Sequence, residues 1–126
     1  MGITDTPDDD GLGSPPPPCA CEDPAAPRDQ FLAFQYGCDE TGGRYADVTL
    51  SRCRECRRIW LRYSVEYESF SRSGRWARGI ITEAQAETLT PETAADCLAG
   101  LDWYLYGGSY FDGRSGRRKG SMHWAI

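Results

Sequence analysis

The sequence predicts a small α+β domain in which an antiparallel sheet of three to five strands packs against one helix. Three observations support this prediction: alternating apolar and polar residues over 58–68, a helix start at Thr90 and Pro91, and two close pairs of cysteines. Alternation with a period of two is typical of a half-buried strand. The chain has 126 residues, which is room for one such domain with a single modest core.

The two ends of the chain differ in composition from its middle. Residues 1–18 are acidic and almost free of large apolar side chains, and they end in four consecutive prolines. Such a segment buries too little apolar surface to offset its ordering entropy, so we expect a disordered acidic and polyproline tail. Residues 19–112 are then the single folded domain, and the glycine-rich, basic residues 113–126 are expected to form a flexible tail.

Four segments read as strands in chain order. Residues 31–36 form a short apolar segment that predicts a strand, with a helical turn as the alternative, and residues 45–52 predict a second strand. Residues 58–68 give the clearest pattern and predict a third strand, while residues 75–81 follow a turn and predict a fourth. The face of the third strand that we expect to be buried carries Ile59, Leu61, Tyr63, Val65 and Tyr67.

The helix is predicted over about 91–102. Threonine is a favourable N-cap and proline is favourable at the first helical position, as Thr90 and Pro91 provide. The apolar residues that follow recur at helical spacing and would form one face against the sheet. These residues are Ala94, Cys97, Leu98 and Leu101.

The cysteine pairs predict a metal site. Cys19 and Cys21 are separated by one residue, and Cys53 and Cys56 by two, with the second pair at the tip of the predicted hairpin. Two thiolate pairs of this kind can complete a tetrahedral, closed zinc shell, so the sequence predicts a zinc-knuckle β-hairpin and a structural Zn²⁺. Reduced thiols without metal, a redox pair and a disulfide are the alternatives.

Two further cysteines complicate this assignment. Cys38 could replace Cys19 or Cys21 as a ligand, or it could be buried as a small apolar group. Cys97 lies on the apolar face of the predicted helix, where we expect it to be part of the core.

The residues needed for a recognisable catalytic set are not found together. The chain has one histidine, His123, which we expect to be an ordinary exposed residue, and it lacks a phosphate loop, a Gly-x-Ser-x-Gly element and the His-x-Glu element of zinc deaminases. The sequence therefore predicts a protein that is not an enzyme.

Charge and aromatic residues indicate a binding function. The net charge is −5, yet residues 44–78 are rich in arginine and residues 79–112 contain only acidic charges. Such banded charge can steer and select a protein partner. We therefore predict a protein-interaction module of an adaptor or immunity type, in which Tyr104, Tyr106 and Tyr110 form an exposed anchor patch or, alternatively, the surrounding segment completes the core.

The alternative is a zinc-ribbon-like protein that binds nucleic acid. Arginines cluster around the second cysteine pair, and a tryptophan shares the predicted solvent-facing side of the third strand, as expected for phosphate contacts with aromatic stacking. The overall acidic charge opposes this alternative. The residues concerned are Arg54, Arg57, Arg58, Trp60 and Arg62.

The expected environment is a reducing cytoplasm. The N-terminus does not resemble a signal peptide, and no apolar run is long enough to span a bilayer, so we expect no membrane partner. Arginine supplies almost all of the basic charge, which is consistent with a GC-rich bacterial genome.

Overall fold

Residues 19–124 are described by the computed structural model and form one antiparallel sheet with two short helices. The six strands lie in the sheet in the same order as in the sequence. Their bounds are β1 Phe31–Asp39, β2 Ala46–Cys53, β3 Ile59–Val65, β4 Arg75–Ile81, β5 Tyr104–Gly107 and β6 Gly116–Arg118. The helices are α1 Glu83–Thr88 and α2 Ala94–Ala99.

The register of the central strands places apolar residues opposite one another. Leu61 pairs with Leu50 of β2 on one side and with Gly79 of β4 on the other. Because side chains alternate between the two faces of a strand, this register collects the apolar residues of β2, β3 and β4 on one face. The buried members of this main core are Ala46, Val48, Leu50, Ile59, Leu61, Tyr63, Val65, Ala77, Ile81, Ala94, Leu98, Tyr104, Met122 and Trp124.

Helix α2 crosses this face of the sheet at a glycine. A Cβ atom added at Gly79 would lie 3.1 Å from Cδ2 of Leu98 and 3.3 Å from Cβ of Tyr104, and closer still to Leu101. The missing side chain therefore allows the helix to approach β4 closely. The interior there is close-packed, and a larger residue would force side chains out of their preferred rotamers.

The opposite face of the sheet has a second, smaller cluster. Its buried residues are Cys19, Cys21, Cys53, Trp60 and Leu105, and Phe31 and Trp76 pack against them. Neither α-helix belongs to this cluster. The N-terminal turn of the described chain covers one part of this face, and an open groove occupies another part.

The sheet is larger than the sequence predicts. We predicted three to five strands, but β5 and β6 extend the sheet to six. The predicted flexible tail from residue 113 is also wrong over its described part, because Tyr104 pairs with Arg118 and both Met122 and Trp124 are buried in the main core. The ring of Trp124 lies 4.6 Å from that of Tyr63. The predicted tail over residues 1–18 lies outside the described residues, as do residues 125 and 126.

The helical region is confirmed but is shorter than predicted. A 3-10 turn, Pro91–Thr93, leads into α2, and the threonines at 90 and 93 form a reciprocal capping box. Helix α1 was not predicted, although Thr82 and Gln85 form the same kind of box at its start. No helix within residues 19–124 is long and apolar enough to cross a membrane.

Candidate metal centre

Two separate turns bring four cysteines together. Cys19 immediately precedes a 3-10 turn, Ala20–Glu22, that contains Cys21. Cys53 is the last residue of β2, and Cys56 lies in the turn that leads into β3. The β-hairpin therefore presents one pair of thiols, and the N-terminal turn presents the other pair from across the sheet face.

The sulfur positions match those of a tetrahedral metal site. All four Sγ atoms lie within 4.8 Å of one another. The Sγ atoms of Cys19 and Cys53 are 3.5 Å apart, and those of Cys21 and Cys56 are 3.6 Å apart. For Zn–S bonds of about 2.3 Å, tetrahedral geometry places the sulfurs about 3.8 Å from one another. The four cysteines can therefore hold a metal ion.

None of these four cysteines forms a disulfide. A disulfide requires sulfurs about 2.05 Å apart, whereas all four cysteines are free. Cys21 and Cys53 are almost completely buried, Cys19 is buried and Cys56 is half-buried. No α-helix starts at Cys53, so the helix dipole that activates the first thiol of a redox motif is absent from this turn.

Backbone hydrogen bonds hold the hairpin pair in place. The amide of Arg57 donates to the carbonyl of Cys53 over 3.0 Å, and the amide of Cys53 donates to the carbonyl of Arg58 over 3.0 Å. Arg57 has a φ of 68°, which lets the chain reverse directly after Cys56. The amide of Glu55 donates to the Sγ of Cys53 over 3.4 Å. These hydrogen bonds fix the conformation of the turn that contains both cysteines.

Side chains add further donors to the sulfurs. Nε of Arg58 donates to the Sγ of Cys56 over 3.2 Å, and Nε2 of Gln30 donates to the Sγ of Cys53 over 3.3 Å. Arg58 also forms an ion pair of 2.9 Å with Glu22, whose carboxylate is bound from the other side by Arg117, again at 2.9 Å. Contacts of this kind orient ligands and stabilise the negative charge of a thiolate centre.

The thiols differ in their readiness to ionise. Burial opposes the charge of Cys53, but hydrogen bonds from the backbone and from Gln30 outweigh it and lower its pKa to about 6. Burial likewise opposes ionisation of Cys56, yet the guanidinium of Arg58 lowers its pKa. Burial raises the pKa of Cys21. The hairpin pair is therefore predisposed to bind metal as thiolates, the form in which cysteine is a ligand.

An arginine of the sheet donates hydrogen bonds to the N-terminal turn. Arg78 of β4 donates to the carbonyl of Cys21 over 2.9 Å and to that of Asp23 over 2.6 Å. Its guanidinium lies 4.8 Å from the ring centre of Phe31 and 4.7 Å from that of Trp60. Burial lowers the pKa of Arg78 to about 10. This buried cation fixes the turn that contains Cys21 to the sheet.

The remaining cysteines lie elsewhere. Cys38 is exposed in β1, where it pairs with Asp47, and it is outside the group of four sulfurs. It therefore does not replace Cys19 or Cys21 in the cluster, and it is not buried. Cys97 packs against the main core from α2, as the sequence predicts.

The predicted arginine and tryptophan surface is only partly exposed. Trp60 was expected to face solvent, but it is 1% exposed, because the cysteine cluster covers the second face of β3. Arg58 is used within the metal centre, whereas Arg54 and Arg57 are exposed. Arg62 is half-buried, with its guanidinium 5.8 Å from the ring centre of Trp76.

The three tyrosines of the predicted patch differ in their exposure to solvent. Tyr104 is 1% exposed, and its hydroxyl donates to the carbonyl of Gly120 over 2.6 Å, so its predicted exposure is wrong. Tyr106 is half-buried, with its ring 4.8 Å from that of Phe111. Tyr110 is exposed, and the guanidinium of Arg75 lies 4.0 Å from its ring centre. His123 is exposed, as expected.

Sequence reasoning did not identify the residues that support the sulfurs. Gln30, Arg78 and Arg117 are distant in sequence from the cysteine pairs, and they reach the centre only because the sheet folds as it does. Arg58 and Glu22 lie within two residues of a cysteine, but their sequence positions do not reveal that they pair with each other across the centre.

No protein-family model, curated protein or solved structure matches this chain. The proposals that follow therefore rest on the residues and geometry described above.

Proposed function

We propose that this chain is a small, non-enzymatic protein-interaction module whose fold is stabilised by one structural Zn²⁺ bound to Cys19, Cys21, Cys53 and Cys56. The observation that carries the proposal is the cluster of four Sγ atoms within 4.8 Å of one another. A site with four thiolate ligands has no open position for substrate or water, so its role is structural.

Zinc fits this donor set better than other divalent metals. Four soft sulfur ligands in a tetrahedral arrangement are typical of Zn²⁺ or of an iron–sulfur centre. The distances of 3.5 Å between Cys19 and Cys53 and 3.6 Å between Cys21 and Cys56 are close to the roughly 3.8 Å expected around a single zinc ion. Folding and metal binding would then be coupled, because the two turns meet only in the folded chain.

The described residues favour binding over catalysis. Two acids are buried within residues 19–124. Asp39 accepts from the hydroxyl of Tyr63 and from the amide of Thr41, and Arg44 lies beside it. Glu22 is bound by arginines within the metal centre. Both carboxylates are therefore paired inside the fold, which supports a structural role for them.

The nucleic-acid alternative has weaker support. Two of its five residues, Arg58 and Trp60, are occupied by contacts within the metal centre and the second cluster. Two exposed arginines, Arg54 and Arg57, remain at the tip of the hairpin, which is a small surface for neutralising phosphates.

Elemental analysis of the purified full-length chain tests the metal part of the proposal. We expect one equivalent of zinc per chain, and we expect removal of zinc by a chelator to abolish the cooperative unfolding transition seen by circular dichroism. A chain that is free of metal and fully folded would contradict it.

Co-purification tests the interaction part. The tagged chain, returned to its native source, should recover one stoichiometric protein partner, and recovery should fail after zinc is removed. Turnover in a broad substrate screen, without any stoichiometric partner, would contradict the proposal. Binding to DNA or RNA that weakens steeply with salt would instead support the alternative.

A further inference from the structure

The face of the sheet that carries the cysteine cluster also has an open groove. Its volume is about 580 Å³, within the range of protein binding sites. Trp76 and Phe31 contribute aromatic surface to it, and Tyr36 lies at its rim with 77% of its surface exposed. The side chain of Thr49 adds a hydroxyl group. The groove therefore combines flat apolar surface with polar groups, as binding sites do.

Arg62 gives this groove an unmatched positive charge. It is half-buried among the groove residues and packs against Trp76, but its guanidinium forms no hydrogen bond or ion pair with any of residues 19–124. A second cation, Arg28, also lines the groove and lies near enough to repel it. Burying a cation without a partner is unfavourable, so an anionic group placed between the two arginines would be stabilised.

Among residues 19–124, one acid lines the groove beside its arginines. Asp47 lines it and attracts Arg62, whereas three arginines, namely Arg28, Arg62 and Arg78, line it as well. Arg78 already donates to two carbonyl groups of the N-terminal turn. A ligand with one or two negative charges is therefore complementary to the groove.

The surroundings of the groove distinguish a peptide from a polyanion. Asp23 and Asp29 are exposed next to the wall that contains Pro24 and Arg28, and Asp47 is exposed on another wall. A nucleic-acid strand carries a charge at every nucleotide and would place phosphates near these carboxylates. A peptide can place one carboxylate between the arginines and apolar residues on either side of it.

The exposed rim also argues against a small molecule. Sites for small ligands enclose most of the ligand surface. Arg28 and Tyr36 are exposed at the edges of this groove, so a ligand in it remains open to solvent along one side. An extended segment of a larger protein tolerates such exposure.

We propose that this groove binds an extended acidic peptide segment of a partner protein, with one carboxylate paired to Arg62 and Arg28 and a neighbouring proline or aromatic residue packed on Trp76. The inference rests on the proposed protein-interaction function and names the surface and the chemistry of the partner. Aromatic-lined grooves bind extended, proline-containing segments in this manner.

The test uses the zinc-loaded full-length chain and a phage-displayed library of random dodecapeptides. We expect selection to enrich peptides of net negative charge in which an acidic residue lies beside proline or an aromatic residue. Synthetic copies of the strongest peptides are then titrated by fluorescence anisotropy. Arg62→Gln should weaken their binding about 10- to 100-fold, as expected for loss of a charged hydrogen bond.

Two further variants make this test specific. Arg28→Gln should weaken binding less than Arg62→Gln, because Arg28 is exposed and screened by solvent. Arg114→Gln removes the same charge from an exposed position that does not line the groove, and it should leave binding unchanged. Each variant must keep its zinc content and its melting temperature, which separates loss of binding from loss of fold.

Several results would overturn the proposal. They are the failure to select any peptide, selection of neutral or basic peptides, and binding that is unaffected by Arg62→Gln. If oligothymidylate binds more tightly than the selected peptides, and if its binding depends on Arg62, the groove is assigned to nucleic acid. Binding that appears only after residues 1–18 are deleted would assign it to this chain's own acidic segment, and an Arg62-dependent dimer would assign it to a second copy. A folded, zinc-loaded chain that selects no peptide would refute this inference and leave the structural zinc intact.

Discussion

The two faces of the sheet are covered in different ways. On one face, α2 and the C-terminal residues Met122 and Trp124 pack on the apolar side chains of β2, β3 and β4. On the other face, a short turn that contains Cys19 and Cys21 packs over Trp60, with few apolar residues of its own. Apolar burial stabilises roughly in proportion to the area removed from water.

The two faces differ in the interactions that stabilise them. The first face has a large, continuous apolar cluster, so its packing contributes most of the apolar burial of the domain. The second has a small cluster in which Arg78 and the four thiols occupy positions that an ordinary core gives to apolar side chains. A metal ion would supply there the stabilisation that the turn cannot obtain from burial, which is the usual device of small domains. The predictions below test this division, beginning with the largest effect.

Removal of one sulfur should have the largest effect. Cys53→Ser should lose stoichiometric zinc and the cooperative unfolding transition, and hence most of a free energy of unfolding that is about 5–15 kcal/mol in native proteins. Calorimetry and elemental analysis measure both. Cys38→Ser is the matched control, because Cys38 is exposed and lies outside the cluster, and it should keep both properties. Equal behaviour of the two variants would contradict a metal role for Cys53.

A cavity in the main core should reduce stability without affecting the metal. Leu61 is completely buried on the helix-covered face, so Leu61→Ala should lower the free energy of unfolding by about 2–5 kcal/mol. Urea titration measures this change, and elemental analysis should still give one zinc per chain. Loss of zinc from folded Leu61→Ala would show that the two faces are not separable.

Alkaline pH should lower the stability of the helix-covered face, where Tyr63 is buried. Burial, followed by the hydrogen bond to Asp39, raises the pKa of Tyr63 to about 12 from a reference of 10.0. Its contribution is therefore fully present below pH 10 and is lost as the pH rises towards 12, by on the order of 2–3 kcal/mol.

Tyr63→Phe isolates this contribution from the other groups that titrate at high pH. The free energy of unfolding of the variant, measured by urea titration between pH 9 and pH 11.5, should fall less steeply than that of the unaltered chain. Parallel pH profiles would show that the hydroxyl of Tyr63 does not carry the effect.

Loss of a sulfur-bound donor should weaken zinc binding while leaving the site formed. Arg58 donates to Cys56 and pairs with Glu22, so Arg58→Ala should reduce zinc affinity about 10- to 100-fold at unchanged stoichiometry. Competition with a chromophoric chelator measures the affinity. Arg57→Ala removes the same charge from the next position, where the side chain is exposed, and should have little effect. A matching loss in both variants would point to overall charge as the cause.

An exposed ion pair between β2 and α1 should contribute least. Arg52 and Glu83 are 2.9 Å apart, but 71% of the Glu83 side chain is exposed. Glu83→Gln should therefore leave the unfolding midpoint in urea almost unchanged, because solvent screens an exposed ion pair, and Glu87→Gln in the same helix is the control. A midpoint for Glu83→Gln that falls as far as that of Leu61→Ala would show that this pair stabilises the docking of α1.

Much of the helix-covered face could be predicted from local sequence patterns. The period of two in β3 places Leu61 and Tyr63 on the buried side, and Thr90 with Pro91 marks the helical region. Helix α1 could also have been found, since Thr82 and Gln85 have the spacing of a capping box. These signals are local, so they can be read without knowledge of the fold.

The second face could be predicted only in part. The two cysteine spacings indicate the four sulfurs, but the same period of two assigned Trp60 to solvent, because alternation does not reveal that both sides of a strand are covered. Strand β6 has almost no apolar pattern and is held by its pairing with β5 and by the contact of Arg117 with Glu22. Such long-range contacts depend on the complete fold and are not visible in a local sequence pattern.

The most direct test of the central claim is X-ray absorption spectroscopy at the zinc edge of the loaded, full-length chain. We predict a single shell of four sulfur atoms at about 2.3 Å from the metal, as expected for a closed thiolate site. A shell that includes nitrogen or oxygen atoms at about 2.0–2.2 Å, or that has fewer than four sulfurs, would contradict the claim that these four cysteines together bind one structural zinc.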